Sequence, residues 1–272
     1  MMINNHPNDF TFIQYHGADV YEIPFGVWRR GYYSIAGYHT CWFDGKLKAE
    51  GAYQNDTQQY NWYNSLYNSR KTVATDVLVE VGGEQLAGQT FRITVRVSLD
   101  SNGTAKTVRV LAANILDHYP SSTDNRYRNC AVAPTLNTPY YIDVALQPGD
   151  VVDVLTWDLT FSSTSWSHQS DIRIIAWAQK QAANGGSGAG EVWNAKMMSW
   201  PFSTLPPLNA MGDLNCDGVV NFDDINPFVL ALTDPVAYST TFPDCDIALA
   251  DCNLDTLIDF NDIACFVALL GG

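Results

Sequence analysis

Asp213-Leu214-Asn215-Cys216-Asp217-Gly218-Val219-Val220-Asn221-Phe222-Asp223-Asp224 is a twelve-residue acidic loop near the C-terminus, and it recurs as Asp251-Cys252-Asn253-Leu254-Asp255-Thr256-Leu257-Ile258-Asp259-Phe260-Asn261-Asp262. Both copies carry oxygen side chains at positions 1, 3, 5, 9 and 12 and offer a backbone carbonyl at position 7. That is the spacing of a calcium loop, in which alternate residues of a tight turn aim oxygens at one hard cation. The expected ligands are Asp213, Asn215, Asp217, the Val219 carbonyl, Asn221 and Asp224, then Asp251, Asn253, Asp255, the Leu257 carbonyl, Asp259 and Asp262. Gly218 takes the sixth position, where the chain turns sharply and a Cβ is strained. Thr256 takes it in the second copy, so that site is expected to be the weaker or more strained of the two.

A helix is predicted after each loop. Ile225, Phe228, Val229 and Leu232 follow the first at helical spacing, and Ile263, Phe266, Val267 and Leu270 follow the second. The unit is thus a loop and a helix, repeated about 38 residues on. It resembles a dockerin module of the type I repeat, the duplicated calcium-loop domain that attaches secreted proteins to cohesin modules. The resemblance covers residues 211–272 and implies two calcium ions and a cohesin-like protein partner. Dockerins read their partner with small hydroxyl or basic residues at loop positions 10 and 11. This chain has Phe222-Asp223 and Phe260-Asn261 there, which points to a different partner or to a structural calcium module.

Charge and cysteine placement set this segment apart. The net charge of the 272-residue chain is -14, and residues 211–272 hold eleven aspartates with no Lys, Arg or Glu, leaving only -3 for the remainder. So many like charges in a small domain repel one another, and bound cations would offset that repulsion and couple to folding. The same charge argues against nucleic acid and anionic membranes as partners. Four of the six cysteines (Cys216, Cys245, Cys252, Cys265) lie in this tail, favouring disulfides and an oxidising compartment, with the pairing left open. An extracellular or cell-surface location is expected. No run is apolar enough to span a membrane. Residues 1–8 do not read as a signal peptide, so the chain is expected to be a fragment or to have a late start.

The rest of the chain reads as two further regions, giving a multi-domain α+β protein. In residues 1–72, Phe10–Tyr15 reads as a buried strand, a helix runs through Trp28–Tyr33, and Asp56–Arg70 reads as a closing helix. Tyr33-Ser-Ile35-Ala-Gly37-Tyr-His39-Thr40, leading to Phe43-Asp-Gly45, resembles the second half of a thioredoxin-like fold. His39 stands at that family's cis-proline position, and the chain has no CxxC, so redox activity is not assigned. Such a half-domain needs a neighbour to pack on. Residues 73–180 read as an antiparallel β-sandwich: Val77, Val79 and Val81 alternate, as do Phe91, Ile93, Val95 and Val97. Further short strands are predicted at Val151–Leu155 and Leu159–Phe161, and Gly82-Gly83 reads as a turn. The order of these two regions resembles Omp28-type outer-membrane proteins. Residues 181–210 read as a linker, flexible over 182–190, whose apolar stretch Val192–Phe202 is expected to lie back on the sandwich.

No catalytic constellation stands out. His118 and His168 lack motif context, and Trp157, Trp166 and Trp177 suggest a carbohydrate-stacking platform, set against the core position that tryptophans more often take in a sandwich. The reading is therefore a secreted, non-catalytic protein that uses its calcium module for attachment. The alternatives are a thiol–disulfide oxidoreductase-family protein with its CxxC upstream, and a glycan-binding or polysaccharide-degradation accessory protein.

Overall fold

The computed structural model describes residues 2–6, 10–37, 39–120, 128–134, 139–181, 190–205, 208, 210–253 and 257–270. The chain divides into two compact units, Met1–Leu205 and Pro206–Gly272.

In the first unit, helices α1 (Met2–Asn5) and α2 (Pro24–Tyr32) precede a hairpin of β1 (Thr40–Phe43) and β2 (Leu47–Glu50), then α3 (Asp56–Arg70). The hairpin loop is Asp44-Gly45-Lys46, with positive φ at Asp44 and Gly45. A Cβ at Gly45 would lie 2.2 Å from the Gly190 carbonyl oxygen, so this turn admits glycine alone. Helix α3 starts where the sequence predicts because the Asn55 side chain accepts hydrogen bonds from the Thr57 and Gln58 amides.

The sandwich follows: β3 (Val77–Ala87), β4 (Thr90–Leu99), β5 (Lys106–Leu116), β6 (Cys130–Pro134), β7 (Ile142–Leu146), β8 (Val151–Thr160), α4 (Ser163–Trp166), β9 (Ile172–Lys180) and β10 (Val192–Ser199). One antiparallel sheet runs β10-β9-β5-β6 with β7 also on β5, and the other runs β3-β4-β8. Strands β6 and β7 share one edge of β5, pairing with its C-terminal and N-terminal halves. The alternating valines of β3 and β4 face Val108, Val110 and Ala112 of β5 and Ile172, Ile174 and Ala176 of β9 in the inter-sheet core.

The other face of β5 and β9 is also covered. Leu111, Ala113, Ile115, Ile175 and Trp177 pack against Phe25 of α2 and, at the margin, Tyr15, Trp28 and Tyr140. Burial on both faces makes β5 continuously buried from Val110 to Leu116, with every residue apolar except Asn114. The N-terminal segment thus forms a third layer on the sandwich. A small cluster of Phe43, Ala49 and Tyr67 joins α3 to the hairpin.

Several expectations are corrected. Residues 10–15 are half-buried and join a sheet by a single parallel bridge, in which the Gln14 amide donates to the Asn129 carbonyl and the Gln14 carbonyl accepts the Ala131 amide at the outer edge of β6. Gly82 and Gly83 lie within β3, where the returning chain crosses: a Cβ at Gly82 would lie 2.5 Å from the Leu205 amide nitrogen. The segments at 151–155 and 159–160 belong to one strand, β8, paired along its length with β4, and Phe161 follows its end. The apolar stretch after residue 191 is β10, hydrogen-bonded to β9.

In the second unit, α5 (Ile225–Thr233) and α7 (Ile263–Leu269) each follow an acidic loop through a short 3-10 turn, and α6 (Pro235–Thr241) lies between the copies. Phe228 and Phe266 stack at 3.9 Å with an 8° interplanar angle, at the centre of a core completed by Leu214, Ala231, Tyr238 and Ala250. The stripe predicted on these helices is only partly internal: Val229 and Val267 are exposed. A domain this small buries one row per helix. Helix α6 was not anticipated, although Asp234-Pro235 is a start signal: Asp234 accepts the Ala237 amide and Pro235 opens the helix.

Candidate functional site

The first acidic loop draws its predicted residues together by backbone hydrogen bonds. Asp213, wholly buried, accepts the amides of Asp217 (3.2 Å) and Gly218 (2.9 Å). Asp224, equally buried, accepts the amides of Leu214 (2.7 Å) and Asn215 (3.0 Å) on one oxygen and of Asn221 (2.8 Å) on the other. The Asn215 side chain donates to Asp217 at 3.0 Å, and Asn221 accepts the Asp223 amide at 2.6 Å. Gly218 has φ 89°, the conformation that reserves position 6 for glycine.

Among the described residues the second loop repeats the part of this pattern around positions 9 and 12. Buried Asp262 accepts the amides of Asn253 (3.2 Å) and Asp259 (2.9 Å), and Asp259 accepts the Asn261 amide at 2.7 Å. Asn221–Asp224 and Asp259–Asp262 are both reciprocal capping boxes. Position 12 therefore closes each loop and opens each helix. Asp251 is half-buried and Leu257 exposed, whereas Asp255 and Thr256 lie outside the described residues.

Electrostatics in the first loop is unfavourable without a cation. Burial pushes the Asp213 carboxyl up, the Gly218 amide opposes this, and the charges of Asp224 and Asp217 raise it further. Nearby acids also act on Tyr238, whose phenol is pushed up to about 12, first by burial and then by Asp213, Asp246 and Asp224. Tyr238, from α6, donates to the Leu214 carbonyl at 2.9 Å and fixes the loop from behind. Carbonyl and carboxylate oxygens with no basic residue nearby form a donor set that suits a hard divalent cation.

Two disulfides staple the unit, Cys216–Cys245 and Cys252–Cys265. Around the loops the same apolar residues are exposed in both copies: Val219 and Leu257, Phe222 and Phe260, Ile225 and Ile263, Val229 and Val267. Phe222 and Phe260 are each 76% exposed.

The first unit assembles no catalytic group from the residues considered in sequence. Burial pushes the Cys41 thiol up to about 11 and the Cys130 thiol up to about 12, which leaves neither as a thiolate at neutral pH. Nδ1 of His168 lies against the Ser167 hydroxyl and the Thr164 carbonyl, where a triad would place a carboxylate. The three tryptophans do not form one exposed face: Trp177 is buried beneath α2, while Trp157 and Trp166 pack against the inter-sheet core, Trp166 with Phe91, Phe161 and Trp200. The polar loop at 124–130 lies partly outside the described residues, and its visible end, Arg128, pairs with buried Asp117 at 2.8 Å. No helix among the described residues is long and apolar enough to cross a membrane.

Comparison with known protein families returns no match, and comparison with curated proteins returns none. Solved structures show partial likeness. HBP35 of Porphyromonas gingivalis is 10% identical over 64% of this chain and 57% of that one, with a TM-score of 0.47. The chain spans a little over half the length of that structure. A domain of the outer membrane lipoprotein Omp28 from Porphyromonas gingivalis is 10% identical over 46% of this chain and 88% of the domain, with a TM-score of 0.32. A β-glucosidase from Kluyveromyces marxianus in complex with glucose is 12% identical over 53% of this chain and 18% of the enzyme, with a TM-score of 0.25. Likenesses of this size transfer no residue role to this chain.

Proposed function

We propose that residues 211–272 form a dockerin-like module that holds two calcium ions and attaches this secreted, non-catalytic protein to a cohesin-like partner or surface assembly. The observation that carries the reading is the duplication. Both loops repeat the oxygen positions, the capping box and the exposed apolar set in register. A buried core needs each residue type only where it packs, so repetition of exposed residues supports a recognition surface. The exposed phenylalanines favour a partner with an apolar socket over one read by hydroxyl or basic side chains. The disulfides fit an oxidising, extracellular or cell-surface setting.

Calcium titration of the oxidised full chain, followed by calorimetry and circular dichroism, tests this. Two binding events are expected, with Asp213→Ala abolishing one and Asp251→Ala the other. Absence of binding at millimolar calcium overturns the proposal. Phe222→Ser with Phe260→Ser should keep both calcium events and weaken binding to a cohesin-type domain used as probe.

A further inference from the structure

Arg29 is the one arginine among the eight described that meets no carboxylate. The other seven do: Arg30, Arg70, Arg92, Arg96, Arg109, Arg128 and Arg173. Yet Arg29 is only 6% exposed. Its guanidinium donates to the Gln179 side-chain oxygen at 3.1 Å and the Tyr33 hydroxyl at 2.8 Å, and lies 4.6 Å from the Tyr33 ring centroid and 5.2 Å from that of Trp177. Every one of these partners is neutral. Burial pushes the nearby Tyr15 phenol up to about 12, so it supplies no charge either. A guanidinium does not deprotonate in proteins, and a buried charge without a counter-charge is costly.

Two donors in this region also lack acceptors. Arg29 Nε and Trp42 Nε1 are buried without a hydrogen-bond partner. Both residues line one cavity of about 720 Å³, together with Phe10, Tyr15, Trp177 and Trp193. The rings of Tyr33 and Trp42 lie 5.4 Å apart, so the arginine, tyrosine and tryptophan form one contiguous wall. The acidic wall residue, Asp44, is already paired with Arg70. Lys71 also lines the cavity, but it is exposed and lies over the Tyr67 ring, so the buried cation without a counter-charge is Arg29. A cavity of this size that combines several aromatic walls, this buried cation and two unpartnered N–H groups is complementary to an acceptor-only anion on an apolar body.

We propose that this cavity binds a small apolar carboxylate, an aryl or medium-chain acid. Its carboxylate would sit against Arg29 and Trp42 and its body against the aromatic walls. This rests on the first unit alone and is independent of the calcium reading.

Titration of the full chain with naphthalene-2-carboxylate, octanoate and the neutral naphthalene-2-carboxamide, read by calorimetry and tryptophan fluorescence, tests the proposal. The acids should bind, and the amide should bind about tenfold to a hundredfold more weakly, since a charge-assisted bond is lost. Arg29→Met should abolish the preference for acid over amide. Ala195→Phe, which fills the cavity from β10 and leaves Arg29 in place, should abolish binding of both and decides the matter if Arg29→Met does not fold. Equal binding of acid and amide, or no binding of either acid to the folded protein, overturns the proposal and means that the aromatic faces alone balance Arg29.

Discussion

In the N-terminal unit Asp76 faces Lys106, Asp143 faces Arg109 and Asp158 faces Arg92, and hydrogen bonds from these cations hold each carboxyl below its ordinary range. Burial pushes Asp117 up, but Arg128 and the Asn129 amide outweigh it and bring the carboxyl down. In the C-terminal unit there is no Lys or Arg to pair with, and the buried Asp213 is pushed up. The first unit meets its acids with cations of its own and rests on layered apolar cores. The second holds its acids with backbone amides and covalent staples, and has no Lys or Arg of its own to offset their charge. Both solutions are folded, but they fail under different conditions.

The largest effect expected from a single change is in the first unit. Phe25 is fully buried between α2 and the sheet, with ring centroids of Tyr140 at 5.3 Å and Tyr15 at 5.8 Å. Phe25→Ala should cost about 3–5 kcal/mol and lower the denaturant midpoint of this unit only. A matching shift in the second unit would show that the two do not unfold independently. Next is the staple of the second unit. Replacing Cys216 and Cys245 by serine opens a loop with a sequence separation of 29, which a chain-entropy estimate values at about 3 to 4 kcal/mol. Calorimetry should show only the C-terminal transition moving.

Acid should then separate the units by sign. In the first, the depressed carboxyls contribute stability that is full above their unfolded values and is lost as pH falls through the folded ones. In the second, without cations, the raised Asp213 makes stability greatest when it is protonated and lower as pH rises through the folded value. Melting curves in chelator across the carboxylate range should therefore run in opposite directions, and parallel curves would break the contrast. The smallest effect is at the surface: Phe222→Ser should change stability by no more than about 0.5 kcal/mol in thermal unfolding, because the side chain is largely exposed.

What could be read in the sequence was local. The acidic loops follow a spacing written in consecutive residues, α3 is announced by its Asn55 cap, and β4 by strict alternation. What could not be read depends on distant chain. Gly82 and Gly83 look like a turn until residues 202–205 are seen crossing them. Val229 and Val267 fit a core stripe by spacing, but the mutual stacking of Phe228 and Phe266 leaves them outside. The Arg29 site joins residues from α2, the hairpin and β9, and no single stretch of sequence contains it.

The two disulfides follow one another along the chain without interleaving. Cys216 and Cys245 both precede Asp251, and Cys252 and Cys265 both lie after it. A growing chain delivered end first can oxidise the first repeat before any residue of the second appears, and scission between Cys245 and Cys252 yields two peptides with no covalent link. The two closures do not repeat in register, since Cys216 is the fourth residue of its loop and Cys252 the second, yet each repeat carries a complete and separable closure of its own.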